Sequence, residues 1–418
     1  MDVLHARTAG MDISKSDAKV CVRIAGAGRR GGSSSATTTW GSMTGQILAL
    51  RDHLVEQQVT WVVMEATGDY WKPFYYLLED GPFEVILANA GQVKNMPGRK
   101  SDVSDAAWLA QLGAHGLVRP SFVPPEPIRQ LRDLTRTRTG LTRDRTRELN
   151  RLEGVLEDAG VKVSAVTTST LGASTRAMLE ALVAGERDPL VLADLAKSRL
   201  RAKIPALREA LVGRFNEHHA FLVRLHLQVI DQLTAAIATL NERIEVALEP
   251  YRAFHTLICS IPGIGALVAD VVIAETGADM SRFPTGAHLA SWAGTVPGMH
   301  ESAGRVRSTK ARQGNPHLKA ALGNAARSIA HSNDNFLAAR YRRIAKRRGA
   351  AKAQVAIMHT LLSTLHAMAT TGELYNDLGG DYYQRRNPTA VKRHALARLR
   401  DLGYDVTLTA KEPHQAPG

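Results

Sequence analysis

Thr8-Ala9-Gly10-Met11-Asp12-Ile13 is a short apolar run with one carboxylate near its end. Acids are uncommon in stretches that form strands. A second run, Trp61-Val62-Val63-Met64-Glu65, closes on an acid as well. Further along comes Lys100-Ser101-Asp102-Val103-Ser104-Asp105-Ala106-Ala107-Trp108-Leu109, whose spacing predicts one helix face carrying both Asp102 and Asp105. An Asp-x-x-Asp pair alone is an ordinary solvated helix face, and it is the two strand-end acids that favour a metal site. Acids gathered in one place repel each other unless cations sit among their oxygens. Asp12, Glu65, Asp102 and Asp105 are therefore the expected ligands of Mg²⁺, two ions per site, with Mn²⁺ able to substitute. Such a cage suits phosphoryl transfer on nucleic acids, because paired hard cations stabilise both the attacking and the leaving oxygen.

Outward from these runs, residues 8–13 and 19–24 read as two strands joined by a short polar turn. A Gly/Ser/Arg loop follows, and then a strand at Thr37-Thr38-Thr39-Trp40. Gln46 to Gln57 has helical apolar spacing, Thr60 to Glu65 is a strand, Tyr70 to Leu78 a helix and Glu84 to Ala88 a strand. A basic loop leads to the Asp102 helix. This order is that of an α/β domain of the RNase H/RuvC type, with three antiparallel strands first and later ones joined through helices. Gly26-x-Gly28-x-x-Gly31 matches a dinucleotide fingerprint in form, but a Ser/Thr run follows it where the mechanism needs a helix, so it reads as a hairpin loop.

Charge divides the 418-residue chain. Its net charge is +13, yet residues 1–120 carry 12 basic and 12 acidic side chains, and the excess lies wholly beyond them. A basic excess of this kind points to a polyanionic partner. Two distant cysteines, Cys21 and Cys259, form neither a disulfide framework nor a zinc motif. Without a signal-peptide pattern or an uninterrupted apolar run of membrane length, the expected place is a reducing cytoplasm.

Pro120, Pro124, Pro125 and Pro127 mark the end of the first domain, 1–125. The segment 126–250 reads as a helical coiled-coil or dimerisation arm. Its first helix carries Ile128, Leu131, Leu134, Leu141, Leu152 and Val155, with eight arginines between positions 129 and 151. Its second, from about 206 to 248, spaces Leu222, Leu225, Val229, Leu233, Ile237, Leu240, Ile244 and Leu248 in near-heptad fashion. Residues 251–375 form a mostly helical, all-α third domain, and 376–418 a basic tail. His218, His219, His226, His359 and His366 read as packing or surface residues.

In the third domain Ile261-Pro262-Gly263-Ile264-Gly265 before an apolar helix looks like a helix-hairpin-helix turn, whose backbone N–H groups suit a phosphate. Gly263 and Gly265 are its candidate contacts. Two basic runs follow: Arg305, Arg307, Lys310 and Arg312, then a stretch that includes Arg342, Arg343, Arg347 and Arg348. Contacts of this kind give affinity and salt dependence rather than sequence choice.

With these motifs in order, the chain resembles the IS110/IS1111 family of insertion-sequence transposases, the DEDD recombinases. The resemblance rests on Gly10-Met11-Asp12-Ile13-Ser14-Lys15, Met64-Glu65-Ala66-Thr67-Gly68 and Lys100-Ser101-Asp102-Val103-Ser104-Asp105-Ala106. It extends through the Ile261 hairpin, Leu289-Ala290-Ser291-Trp292-Ala293-Gly294-Thr295-Val296-Pro297-Gly298 and Gly314-Asn315-Pro316-His317-Leu318-Lys319-Ala320-Ala321-Leu322. It implies a RuvC-like domain with Asp12, Glu65, Asp102 and Asp105 as the metal-binding set, and a catalytic serine at Ser291. It also implies a dimer of dimers in which the acids of one subunit face the serine of another, and a structured noncoding bridge RNA that selects double-stranded donor and target DNA.

The expected function is thus a Mg²⁺-dependent, RNA-guided DNA recombinase that cuts and exchanges strands through a serine–DNA link. Two competitors remain at this stage: a RuvC-like structure-specific endonuclease in which water attacks, and a nucleic-acid-binding protein with an inactive acid site.

Overall fold

The computed structural model describes residues 2–408 except 29–31, 67, 90, 92, 94–103, 169–170 and 299. It divides into two units, Met1–Pro124 and Pro125–Gly418.

The first unit is a mixed α/β domain. Its strands are β1 (Arg7–Ile13), β2 (Asp17–Ile24), β3 (Ser34–Gly41), β4 (Trp61–Glu65) and β5 (Glu84–Ala88), and its helices α1 (Thr44–Glu56), α2 (Trp71–Leu78) and α3 (Asp105–Ala114). The sheet order is β3-β2-β1-β4-β5. β1, β2 and β3 pair antiparallel, while β4 joins β1 and β5 in parallel. Alternation along the strands gives the sheet two apolar faces. Ala9, Met11, Ile13, Val62 and Met64 pack with Ile47, Leu50 and Leu54 of α1 and Phe74 and Leu78 of α2. On the other face Val63 and Ile86 meet Trp108, Leu109 and Leu112 of α3.

α3 lies unusually close to β1, and Gly10 is the reason. A Cβ there would stand 2.1 Å from the Ala106 carbonyl oxygen and 2.2 Å from the Ala110 nitrogen. Beside it the Thr8 hydroxyl donates to the Ala110 carbonyl at 3.1 Å. The helix begins later than the Asp102/Asp105 spacing predicts. Ser104 has an extended backbone and caps α3, its side chain accepting from Ala107 N–H. Asp102 itself lies outside the described residues.

The second unit is helical. Its helices are α4 (Glu126–Asp158), α5 (Val163–Val166), α6 (Ala173–Ala184), α7 (Pro189–Asp194), α8 (Ile204–Ala210), α9 (Glu217–Leu248), α10 (Arg252–Cys259), α11 (Ala266–Thr276) and α12 (Gly286–Trp292). A hairpin of β6 (His300–Ser302) and β7 (Arg305–Ser308) precedes α13 (Pro316–His331), α14 (Phe336–Arg348), α15 (Ala350–Thr371), α16 (Tyr382–Arg386) and α17 (Pro388–Asp401).

The long helices α4 and α9 run antiparallel and connect two cores. At one end Ile128 and Leu131 meet Ile244 and Leu248 inside a core completed by α10 to α15. At the other, Leu152 and Leu156 meet Val223, Leu227 and Ile230 among α5 to α8. The near-heptad stripe expected on α9 is packed unevenly. Of its members only Ile244 and Leu248 are buried, and Ala220, Val223, Leu227 and Ile230 do the distal packing instead. Midway along the arm Leu141 of α4 and Val229, Leu233, Ile237 and Leu240 of α9 are half-buried. The single helix expected from 206 to 248 is also two helices. Gly213, where a Cβ would meet the Ala159 carbonyl oxygen at 2.4 Å, turns the chain, and Asn216 starts α9 with a capping box to His219. Glu217–Cys259 is the one described helical stretch long and apolar enough to cross a membrane, which is weak evidence by itself.

Two glycines test these contacts with opposite signs. Gly10→Ala must push α3 off β1, so it should lower stability by about 1–3 kcal/mol, as overpacking does. Gly154→Ala, on a face of α4 where a Cβ meets open space, should leave stability unchanged or raise it by up to about 1 kcal/mol through helix propensity. Urea unfolding of both variants reads the difference, and equal midpoints would refute the Gly10 contact.

Candidate active site and nucleic-acid interface

In the first unit, strand register brings two acids together. β1 and β4 are parallel, with Met11 opposite Met64, so Asp12 and Glu65 follow side by side at adjacent strand ends. Both face α3. Thr8 and Gly10 contact that helix from β1, and Trp61 and Val63 lie under its Gly113, which puts the next alternate residues, Asp12 and Glu65, on the same side. α3 runs antiparallel to β1, since Ala106 lies over Gly10 and Ala110 reaches Thr8. Its first residue, Asp105, therefore stands at the end of the sheet where Asp12 and Glu65 emerge. The positive end of the helix dipole favours carboxylates there.

Asp12 and Glu65 are half-buried and Asp105 is exposed. Among the described residues no three carboxylate, imidazole or thiol groups are gathered closely enough to hold a metal ion. The described acids thus form a partial donor set. Its oxygen-only chemistry fits a hard divalent cation, and Asp102, the fourth acid, falls outside the described residues.

In the second unit Ser291 is exposed near the end of α12. Thr285 caps that helix, and its hydroxyl lies 2.8 Å from Nδ1 of His288, one turn before Ser291. The turn after the serine is held tightly. Gly294 N–H donates to the Ser291 carbonyl at 3.0 Å, and the buried Thr295 hydroxyl donates to the Ala290 carbonyl at 3.0 Å. Gly294 has φ +72°, and a Cβ there would come within 2.7 Å of Gly314 N, while one on Gly314 would come within 2.4 Å of the Ala293 carbonyl. Backbone therefore rests on backbone behind Ser291, and only glycine fits on either side.

Next to Gly314, Asn315 starts α13 by accepting from His317 and Leu318 N–H, and it donates at 2.6 Å to Glu275. Glu275, at 0% exposure, also receives Arg136 Nε and Nη2 at 2.7 and 2.8 Å, with Arg132 Nε at 3.4 Å. Burial alone would push its carboxyl pKa up. The Arg136 hydrogen bond and the charges of Arg132 and Arg136 outweigh it and hold the carboxyl below the usual glutamate range. A turn back along α11, Asp270 pairs with Arg138 at 2.8 Å and with His255 Nε2 at 3.0 Å. The sequence signal for this network was faint: two acids in an otherwise apolar helix and an arginine-rich stretch more than 130 residues earlier.

The hairpin turn is present between α10 and α11. Gly263 has φ +85° and packs against Ile329, and Gly265 caps α11 with open space around it. The two basic runs meet. A cleft of about 670 Å³ is lined by Lys310 from the first and by Arg340, Arg348 and Lys352 from the second. Arg305, Arg307 and Arg312 are exposed beside it in sequence, as is Arg347. Arg342 is engaged locally, donating to the Ser332 and Asn333 carbonyls at 3.0 and 2.9 Å, and Arg343 lies 4.4 Å over the Tyr383 ring. The packing reading suits His219, His226 and His366, which bond Asp158, Glu148 and the Phe283 carbonyl.

Comparison with known proteins points one way. Residues 9–160 match a transposase family model, the DEDD domain of IS110 elements, and residues 255–342 match the model for transposases of the IS116/IS110/IS902 family. The chain is 27% identical to a probable family 20 transposase of Pseudomonas aeruginosa over 70% of this chain and 78% of that one. It is 25% identical to the transposase for insertion sequence element IS1111A of Coxiella burnetii, over 76% and 80% respectively. An insertion element IS110 protein of Streptomyces coelicolor is 26% identical over 71% of this chain and 75% of its own length.

The Glu275 clamp makes a pH prediction. A carboxyl held low in the folded state contributes stability that is complete above its unfolded pKa and is lost as pH falls through the folded value. Glu275→Gln leaves Arg132 and Arg136 without their counter-charge and should cost about 3 kcal/mol at pH 7, the range for a broken buried pair. The gap between parent and variant should persist through the ordinary glutamate range and close only at lower pH, as the parent glutamate takes up its proton. A pH-independent gap in thermal unfolding would contradict the clamp.

Proposed function

This chain belongs to the IS110 family of transposases and is a DNA transposase, and from that premise we propose how its residues cut and join DNA. The observation that carries the reading is the register of β1 and β4, which sets Asp12 beside Glu65 at the start of α3. The strand order β3-β2-β1-β4-β5 supports an RNase H/RuvC-like reading of this unit. Asp12, Glu65 and Asp105, completed by Asp102, would hold Mg²⁺. When bound, that cation neutralises charge on the scissile phosphate and favours an ionised nucleophile.

Ser291 supplies the nucleophile. Its Oγ attacks phosphorus, gives up its proton, and displaces the 3′-oxygen, leaving a serine–phosphate ester and a 3′-hydroxyl. A 3′-hydroxyl from the exchanged strand then attacks the same phosphorus and releases the serine. One phosphodiester is made for each one broken, so no nucleotide hydrolysis is needed. The tight turn behind Ser291 keeps its backbone from yielding as the ester forms. The cleft where the two basic runs meet would follow the phosphates of donor and target DNA. Bridge-RNA guidance, assembly as a dimer of dimers and a place of action on nucleoid DNA in the cytoplasm complete the proposal, carried over from the family resemblance.

Two substitutions test it. Ser291→Ala should abolish strand cleavage and the covalent protein–DNA adduct seen on denaturing gels, while DNA retention in a mobility-shift assay stays within about twofold, since one hydroxyl adds little to a phosphate-dominated interface. A variant that still cuts would make water the nucleophile and the protein a hydrolytic nuclease. Asp12→Asn should lower adduct formation by at least about a hundredfold, as expected for removing a ligand from a two-metal centre. Unchanged transposition by Asp12→Asn would leave only a binding role.

A further inference from the structure

A second cleft in the helical unit has a composition that the cut-and-join chemistry does not use. It encloses about 420 Å³ between α4, α9, α11 and α13. Its two walls differ. From α4 come Arg136, Arg138, Arg143 and Arg145 with a row of threonines. Opposite stand Leu267, Val268 and Val271 of α11, joined by Ile237 of α9. Leu267 is 63% exposed although it is a large apolar side chain.

The charges can be assigned. Arg136 is paired with Glu275 and Arg138 with Asp270. Arg143 and Arg145 form no ion pair among the described residues, so they hold the uncompensated positive charge of the cleft. His317 adds none at neutral pH. Burial lowers its pKa, and the charges of Arg136, Arg143 and Arg132 lower it further against the pull of Glu275. The first turn of α11, just after the hairpin glycines, adds its dipole. Asn241 and Asn324 supply polar edges; Asn241 accepts from Arg138 at 3.2 Å through its oxygen, which leaves its amide hydrogens for a ligand.

An anion alone has no use for the apolar wall, and an apolar ligand has none for two unpaired guanidiniums. A nucleotide has both halves, and a cleft of this size suits one such unit rather than a duplex. Bases are read in this way only when they leave the stack. We propose that this cleft receives one unstacked nucleotide of a single-stranded nucleic acid, its phosphate on Arg143 and Arg145, its base against Leu267, Val268 and Val271, and its edge at Asn241 and Asn324. The site includes none of the four acids nor Ser291 among its lining residues, and it stands whether or not their proposed chemistry is correct.

The test uses the full-length protein and three fluorescent probes: oligo(dT) of twelve nucleotides, oligo(rU) of the same length, and a twelve-base-pair mixed-sequence duplex. Arg143→Ala with Arg145→Ala should weaken single-strand binding about tenfold or more and reduce the slope of log affinity against log salt by about one to two. Leu267→Glu places a carboxylate in the apolar wall at an exposed position, so folding is not at stake. It should weaken single-strand binding by at least about fivefold, the scale of one lost base-stacking contact, and leave the duplex within about twofold. Ala320→Trp, which fills the cleft from α13, should do the same. Loss on either single strand supports the proposal, and the probe that loses more tells whether RNA or DNA is the natural occupant. Equal losses on duplex and single strand, or no loss with both Leu267→Glu and Ala320→Trp, would overturn it and reduce the arginines to a general phosphate track.

Discussion

Two carboxylates buried on one helix hold the helical unit together. Asp270 and Glu275 sit on α11, which is otherwise almost wholly apolar, and arginines of α4 reach across to both. Burying such charges is costly unless each is paired and hydrogen-bonded. Here Asp270 has Arg138 and His255, and Glu275 has Arg132, Arg136 and Asn315. The pairing fixes which turn of α4 faces which turn of α11. It also reaches the serine: Asn315 orders the start of α13, Gly314 beside it supports Gly294, and Gly294 closes the turn that follows Ser291. A single buried carboxylate is thus connected, through backbone contact, to the residue proposed to attack DNA.

The sheet unit solves a different problem. Under the proposed function it has to bring acids together despite their repulsion. Parallel pairing of β1 with β4 supplies one pair, and the absence of a side chain at Gly10 lets α3 settle on the sheet so that its positive end meets them. The unit is electrically neutral overall, whereas the helical unit carries the basic excess. The proposed acid chemistry and the basic excess thereby fall in different parts of the chain.

Much of this was legible in the sequence. All five strands and the first two helices were readable because alternation and helical spacing are local signals, and a carboxylate ending an apolar strand is conspicuous. The described part of α3 starts at Asp105 behind the capping Ser104, a local signal that the Asp102/Asp105 spacing overshadowed. The near-heptad spacing of α9 was legible, but periodicity says nothing about which residues meet a partner. Arg138 of α4 bonds Asn241 of α9, a polar contact that an apolar repeat does not signal. The arginine–carboxylate network escaped altogether, because Arg138 and Asp270 are 132 residues apart and no local pattern couples them. Ser291 was visible only through its family resemblance; a serine carries no mark of its own.

The arm is secured at its ends and lightly held between them. Neither residues 139–147 of α4 nor 231–243 of α9 include a fully buried side chain. Along that middle stretch Thr139, Thr142 and Thr146 each donate to the carbonyl four residues back, a bond that competes with the helix ladder and favours curvature. A beam clamped at both ends and thinned at mid-span takes up strain there first. Bending of the arm is therefore easiest at mid-span, between the distal core and the root pinned by its arginines.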